Sequence, residues 1–192
     1  MRNATQTRNT TETEITIALQ FEGASAIAIE TGVRMFDHLL NQFAFHSSCG
    51  LQITARSQDG ILHHLIEDVA IVLGETISSA LGERRGIERY GCTIIPMDDA
   101  LVRAAVDFGG RAFSRTNLQL ADNLIEDFPI IMIPHFFSSL ASNARIAIHL
   151  DTLAGTDPHH CVEAAFKAFA RACKSAWAEN ASLAVPSTKG RL

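Results

Sequence analysis

No two of the four cysteines stand at CxxC spacing: Cys49, Cys92, Cys161 and Cys173 are widely separated. That excludes a zinc ribbon. No secretory leader is expected, because the first residues, MRNATQTRNTTETE, are polar where a signal peptide needs an apolar core. Without export the cysteines are expected to be reduced and mostly buried, and the glycosylation matches at Asn3 and Asn9 carry no meaning. The chain is expected to stay in the cytoplasm, or to lose a targeting segment outside this sequence. Positive charge is not in excess. The formal net charge is −5 and the pI about 5.9, so a broad nucleic-acid surface is not expected. No apolar run reaches the length of a membrane span, so no membrane partner is expected either. Long linkers and low-complexity stretches are absent. What is present is 192 residues, 47% hydrophobic and 19% charged, enough for one domain or two intimate halves with ample core.

Histidine is the residue that forms a pattern. His63-His64 is followed by Glu67, and His159-His160 by Glu163. Both read HHxxE, and 160 − 64 = 96, half of the chain length of 192. A repeat of this kind predicts a duplicated fold with two metal half-sites. On a helix, positions i and i+4 share a face, so His63 can pair with Glu67 and His159 with Glu163. Adjacent residues diverge by about 100° around the axis, so His63 and His64 cannot readily serve one ion, nor can His159 and His160. Two metals, each drawing ligands from both halves, is the simplest solution. His38 and His135, on or beside a short helix in each half, supply further imidazoles. The ligand types alone admit manganese, iron, cobalt, nickel or zinc. His149 lies in a strand pattern where a core histidine is equally at home. His46 precedes a Ser47-Ser48 turn and could reach a substrate.

The order of elements repeats as the motifs do. Ile15, Ile17, Leu19 and Phe21 alternate as a strand with one buried face, punctuated by Gly23. A second strand is read at 26–30. Phe36, Leu39, Leu40 and Phe43 have helical spacing, and Asp37 suits the helix start. Cys49, Leu51, Ile53 and Ala55 form another strand, followed by a long helix over 63–81 with Gly82 as its stop. In the second half a strand over 100–106, a turn at Gly109-Gly110, a short helix over 134–144, a strand over 146–150 and a long helix over 160–177 follow. Pro158 suits a first helical turn. Anion anchors come next. The tail Ser187-Thr188-Lys189-Gly190-Arg191 offers hydroxyls, N–H groups and cations. Arg89 lies in a glycine-bounded loop, Arg111 follows Gly109-Gly110, and Lys167 lies two turns beyond His160.

Together these residues resemble the imidazoleglycerol-phosphate dehydratase family of histidine biosynthesis. The landmarks run from Arg8-x-Thr10-x-Glu12-Thr13 through FDHLL at 36–40, HHLIED at 63–68 and GIERYG at 86–91. They continue with Pro96-Met97-Asp98, Asp107-x-x-Gly110-Arg111, HHCVEAAFKAFARA at 159–172 and Pro186-Ser187-Thr188-Lys189-Gly190. The resemblance implies an α+β fold, ribosomal protein S5 domain 2-like, in which two similar α/β halves from an internal duplication pack their sheets on a shared helical layer. It implies a single domain of two pseudo-repeats, about 8–92 and 93–182, with a substrate-binding tail at 184–192. It further implies self-association into a 24-mer built from trimers, with two Mn2+ ions per active site placed between subunits. The implied reaction removes water from imidazole glycerol phosphate to give imidazole acetol phosphate, through a metal-bound imidazolate and a general base. Metal ligands would be His38, His63, His64, Glu67, His135, His159, His160 and Glu163. Catalysis falls to Glu12 as base and to His46, which with Gln42 lies near the substrate. Arg89, Arg111, Lys167, Ser187 and Lys189 would hold the phosphate. Ile61, Leu65 and Asp157 stand where the family usually has Asp, Thr and Asn, and Ser47 where Gly is common. An Asp at 61 would orient a ligand histidine, so that support is expected to be missing. Two other classes of function compete: a metal-assembled storage oligomer without catalysis, and a dinuclear phosphate-ester hydrolase. Arg89, Arg111 and the cationic tail speak against the first, and the imidazole-rich ligand set against the second.

Overall fold

The computed structural model describes residues 2–22, 26–120, 123–182 and 184–190. Gly23 and Arg191 lie outside the described residues. In the first half come β1 (Asn3–Asn9), β2 (Thr13–Gln20), β3 (Ile27–Glu30), α1 (Arg34–Ser47), β4 (Gly50–Ser57) and α2 (Leu62–Leu81). In the second come β5 (Tyr90–Met97), β6 (Ala100–Asp107), β7 (Phe113–Asn117), a small hairpin β8 (Leu124–Ile125) and β9 (Phe128–Pro129), α3 (Met132–Ala144), β10 (Ala147–Ala154) and α4 (Pro158–Trp177). The sheets have matching orders, β1-β2-β4-β3 and β5-β6-β10-β7. In each, the third strand runs parallel to its neighbour through a short-helix crossover, α1 or α3. The α+β duplication is therefore real. The sheet pairing opens the second half at Tyr90 and the first at Asn3, a few residues ahead of the expected repeat limits.

The alternating apolar residues explain which way each sheet faces. Thr13, Ile15, Ile17 and Leu19 of β2 are buried on one face, as are Leu51, Ile53 and Ala55 of β4. That face packs on α2, while α4 packs on β5 and β6. Between the sheets, α1 lies against α4 and α2 against α3. The helices thus form one layer sandwiched between two sheets, and each cross-pair joins a short helix of one half to a long helix of the other. Phenylalanines weld the layer: Phe36 meets Phe136 at 5.6 Å between ring centroids, and Phe43 meets Phe169 at 5.5 Å.

The long strands β1 and β5 carry no alternating apolar signal, and both lie at a sheet edge. In β1 the residues turned toward α2 are Ala4, Gln6 and Arg8, only one of them apolar. β5 is apolar on both faces and contains Pro96, which an edge tolerates because no ladder bond is lost there. Its Gly91 lies flat on α4: a Cβ there would come 1.9 Å from the Ala172 carbonyl oxygen. Gly91→Ala is therefore expected to cost about 3 kcal/mol through overpacking, read as a lowered denaturant midpoint. A midpoint equal to wild type would show that β5 can lift away from α4.

The hairpin β8–β9 does a further job. α1 has no side-chain cap of its own at Val33. The Asp127 carboxylate of the hairpin accepts from the Arg34 and Met35 N–H groups, each at 2.9 Å. A second-half residue thus supplies the missing cap of the first half's short helix, and fixes the helix that carries His38.

Candidate active site

Each cross-half helix pair carries one cluster of metal-type donors. On the α1–α4 pair, His38 Nε2 lies 2.7 Å from Glu163 Oε2, and His159 Nε2 lies 3.3 Å from the same oxygen. On the α2–α3 pair, Glu67 Oε2 lies 3.6 Å from His63 Nε2 and 3.4 Å from His135 Nε2. In both clusters all three donor atoms fall within 4.8 Å of one another. The short helix of one half gives one histidine, and the long helix of the other gives the i, i+4 histidine and glutamate. The sequence expectation of ligands drawn from both halves matches this arrangement, including the separation within each pair. Rings of His63 and His64 are inclined at 89°, those of His159 and His160 at 87°.

His64 and His160 belong to neither cluster. Each is oriented by a carboxylate at Nδ1: Asp59 Oδ2 at 2.7 Å for His64 and Asp99 Oδ1 at 2.8 Å for His160. These hydrogen bonds raise both imidazoles above the ordinary histidine value. They also fix the ring and leave Nε2 as the nitrogen open to a ligand. The orienting acid that an Ile at 61 was expected to remove is therefore present, supplied by Asp59 two residues earlier. The change at 157 is also absorbed, since Asp157 caps α4 by accepting from the His160 N–H at 3.1 Å. Leu65 is buried in the core.

The two hairpins that approach these histidines differ. In the second half, Asp99 of the β5–β6 turn accepts from His160, Thr156 N at 2.7 Å and Asp157 N at 3.1 Å. Those donors, the Thr156 N–H foremost, hold its carboxyl far below the usual range. In the first half the orienting acid comes from the β4–α2 loop instead, and Glu12 of the β1–β2 turn is left half-exposed, 3.8 Å from His64 Nδ1.

The donor sets suit a divalent transition metal. His135 Nε2 is buried with no hydrogen-bond partner, facing Glu67 without the geometry of a bond. A buried imidazole nitrogen left in that state is what a metal would satisfy. Two imidazole nitrogens converging on one carboxylate oxygen of Glu163 make the same case on the other side. Burial alone would raise the Glu163 carboxyl, but bonds from His38 and Lys167 outweigh it and hold it at about 2. It is thus ionised and ready to ligate.

The family model for imidazoleglycerol-phosphate dehydratase matches residues 31–173. That span contains both clusters. The chain belongs to the imidazoleglycerol-phosphate dehydratase family. The dehydratase of Chlorobium phaeovibrioides is 47% identical over 98% of this chain and 94% of its own length. The crystal structure of IGPD from Pyrococcus furiosus superposes with a TM-score of 0.86 at 36% identity, covering 97% of this chain and 100% of the other. The Staphylococcus aureus dehydratase gives 0.84 at 32% identity, covering 93% and 99%. The family is one of hydro-lyases, and the fold of this chain is the fold of its solved members.

The remaining positions that the dehydratase resemblance singled out fall in three places. His38, Gln42 and His46 succeed one another along α1 at four-residue intervals, on one face. His46 opens onto a cavity of about 500 Å³ with Lys167, Arg171 and residues 93–96 of β5. Burial, then the charges of Lys167 and Arg171, lower its pKa and favour neutral imidazole. Lys167 Nζ meets Glu163 Oε1 at 2.6 Å, so it ties this cavity to the α1–α4 cluster. The third place is the tail. Arg89 forks onto Asp107 at 2.7 and 3.0 Å and donates to the Pro186 carbonyl at 2.9 Å. It therefore fastens the tail, with Ser187 and Lys189 just beyond, and keeps two N–H donors over. Arg111 is exposed past the Gly109-Gly110 turn. Arg89→Lys keeps the charge but loses the fork. We expect a stability loss of about 1–2 kcal/mol and faster proteolysis near residue 186; an unchanged cleavage rate would contradict the fastening. His149 stacks with Phe113 at 5.1 Å on the outer face of the second sheet, away from both clusters. Asp59, Asp99 and Arg171 were not singled out in the sequence; only a carboxylate within reach of each long helix start hinted at the first two.

Proposed function

We propose that this chain dehydrates imidazole glycerol phosphate to imidazole acetol phosphate in histidine biosynthesis, with a divalent metal in each cluster. The observation that carries the proposal is the pair of cross-half clusters, His38/His159/Glu163 and His63/Glu67/His135, on a chain of this family. His64 and His160, each fixed by its carboxylate yet outside its own cluster, complete the coordination of clusters in neighbouring copies. The family resemblance is what supports the assembly, a 24-mer built from trimers, and its place in the cytoplasm. Metal binding then also favours assembly, because ligand and partner both bind the folded state. Bound there, Mn2+ or a related ion supplies Lewis-acid polarisation of the substrate's imidazole.

The residues of the chain do the rest. Glu12 accepts the carbon-bound proton as general base, and its freedom from orienting duty, unlike Asp99, suits that role. The departing hydroxyl becomes water with one proton, which balances the one Glu12 takes and returns Glu12 to carboxylate. The resulting enol becomes the ketone as its hydroxyl proton is replaced by one on carbon. His46, neutral and half-buried, and Gln42 hydrogen-bond the substrate along the face of α1 that starts at His38. Lys167, Arg111, Ser187 and Lys189 bind the phosphate, with Arg89 holding the tail and offering its spare donors. Expression of this chain in a histidine auxotroph that lacks the dehydratase is expected to restore growth without histidine. No growth, with abundant folded protein in the cells, would contradict the proposal.

A further inference from the structure

Asp68 is an acid without an assigned role. It stands on α2 directly after Glu67, inside an otherwise apolar stretch of helix, and is only 5% exposed. A buried carboxylate on an apolar face is costly unless partnered. Its partners come from both strands of one hairpin. Thr13 Oγ1 of β2 donates to Asp68 Oδ2 at 2.5 Å, and Arg8 Nε of β1 lies 2.9 Å from Oδ1. The Arg8 contact is an ion pair too bent to be a hydrogen bond, so the Thr13 hydroxyl is the directed link.

Between those two residues lies the turn that carries Glu12. The turn is tight: Thr10 Oγ1 accepts from the Glu12 and Thr13 N–H groups at 3.1 and 3.0 Å, and Thr10 N donates to the Thr13 carbonyl at 2.9 Å. Gln58 N donates to the Glu12 carbonyl at 2.7 Å and ties the turn's backbone to the end of β4, while Asp68 holds the side chains at both ends of the turn. Asp68 is also four residues after His64, so both project from one face of α2. The anchor of the turn and the imidazole nearest Glu12 thus share one rigid helix.

The second half shows what happens without this anchor. The residue after its cluster glutamate is Ala164, and no carboxylate lies there. Its hairpin is docked by its own acid, Asp99, through His160, Thr156 and Asp157. The same turn keeps a second acid, Asp98, 72% exposed with its carboxylate 3.5 Å from His160 Nε2, so docking and the free carboxylate fall there to adjacent residues. The first half has one acid at its turn, Glu12, and its docking carboxylate, Asp68, sits on the helix instead. We infer that Asp68 is a positioning residue for Glu12, taking over the docking of the hairpin so that the Glu12 carboxylate stays free at a fixed place beside His64. The inference rests on the reading of Glu12 as the base.

Four variants test it: Asp68→Asn, Thr13→Val, Thr13→Ser and Glu12→Gln, each assayed for kcat, KM, metal content and melting temperature. A base displaced by about 1 Å costs up to about a hundredfold in rate. Asp68→Asn and Thr13→Val are therefore expected to lose about 10- to 100-fold in kcat, with KM within about threefold of wild type and metal content unchanged. Thr13→Ser, which keeps the hydroxyl, is expected to stay near wild type. Thr13→Val is nearly isosteric, so it remains informative where Asp68→Asn does not fold. The inference is overturned where Asp68→Asn and Thr13→Val keep wild-type kcat while Glu12→Gln is inactive. It is equally overturned where their losses of activity follow losses of metal or folded protein, since that marks a merely structural role. Full activity of Glu12→Gln instead removes the base assignment, and the inference with it.

Discussion

Glu12→Gln is expected to lower kcat by at least about a hundredfold, the span over which a positioned general base contributes, with metal content and assembly unchanged. Three observations converge on this residue. Its carboxylate is half-exposed and 3.8 Å from His64 Nδ1, so it reaches the site without being enclosed by it. It belongs to neither cross-half cluster, but forms with Asp59 and His64 a third, more exposed group of acid and imidazole donors. And the orienting of His64 is done by Asp59, at 2.7 Å, so Glu12 is not needed to fix the imidazole. The amide introduced by the substitution would keep size and polarity but not accept a proton. Parallel metal analysis and light scattering separate loss of chemistry from loss of the site. A variant that keeps wild-type kcat would move the base elsewhere. One that loses metal as well would make Glu12 a ligand.

The second large effect sets the two cluster glutamates apart. Glu163→Ala is expected to remove one of two metal ions per chain, abolish turnover and destabilise the metal-free protein by about 3 kcal/mol, the cost of leaving a buried charge unpaired. Glu163 is deeply buried and pairs with Lys167, itself only 20% exposed, at 2.6 Å. Glu67→Ala is expected to remove the other metal and turnover but to cost less than about 1 kcal/mol in the metal-free state. Its side chain is 36% exposed and, among the described residues, its ion-pair contacts are with the imidazoles of His63 and His135. Denaturation of chelated protein, beside metal analysis of the loaded protein, reads both. Equal destabilisation by the two substitutions would show that the Lys167 pair carries no stability. Full metal content in either variant would remove that glutamate from the ligand set.

The histidine and glutamate clusters were legible in the sequence because two simple periodicities bring most of their donors together. Four-residue spacing on a helix brings His63 to Glu67 and His159 to Glu163, and the duplication announces that the second set matters as much as the first. What crosses between elements was less legible. Nothing in the spacing says that Asp59 folds back on His64 while Asp99, from a different loop, does the same for His160. Ile61 suggested a missing support, and only the folded loop shows the neighbouring acid taking its place. Asp68 sits in the middle of a helix, where sequence alone cannot separate a surface charge from an anchor. β1 and β5 were illegible for one reason: an edge strand that is polar on its inner face, or apolar on both, has no alternation to read. Arg89 looked like a free cation in a glycine-bounded loop. Its fork onto Asp107 and its bond to Pro186 depend on contacts across 18 and 97 residues, which local pattern does not encode.

The most direct test is dehydration of imidazole glycerol phosphate by manganese-loaded protein beside the same protein after chelation. Formation of imidazole acetol phosphate by the loaded sample, its disappearance on chelation and its return when manganese is restored are the expected results. Turnover that survives complete removal of metal, or no turnover by folded protein with both clusters filled, would contradict the account.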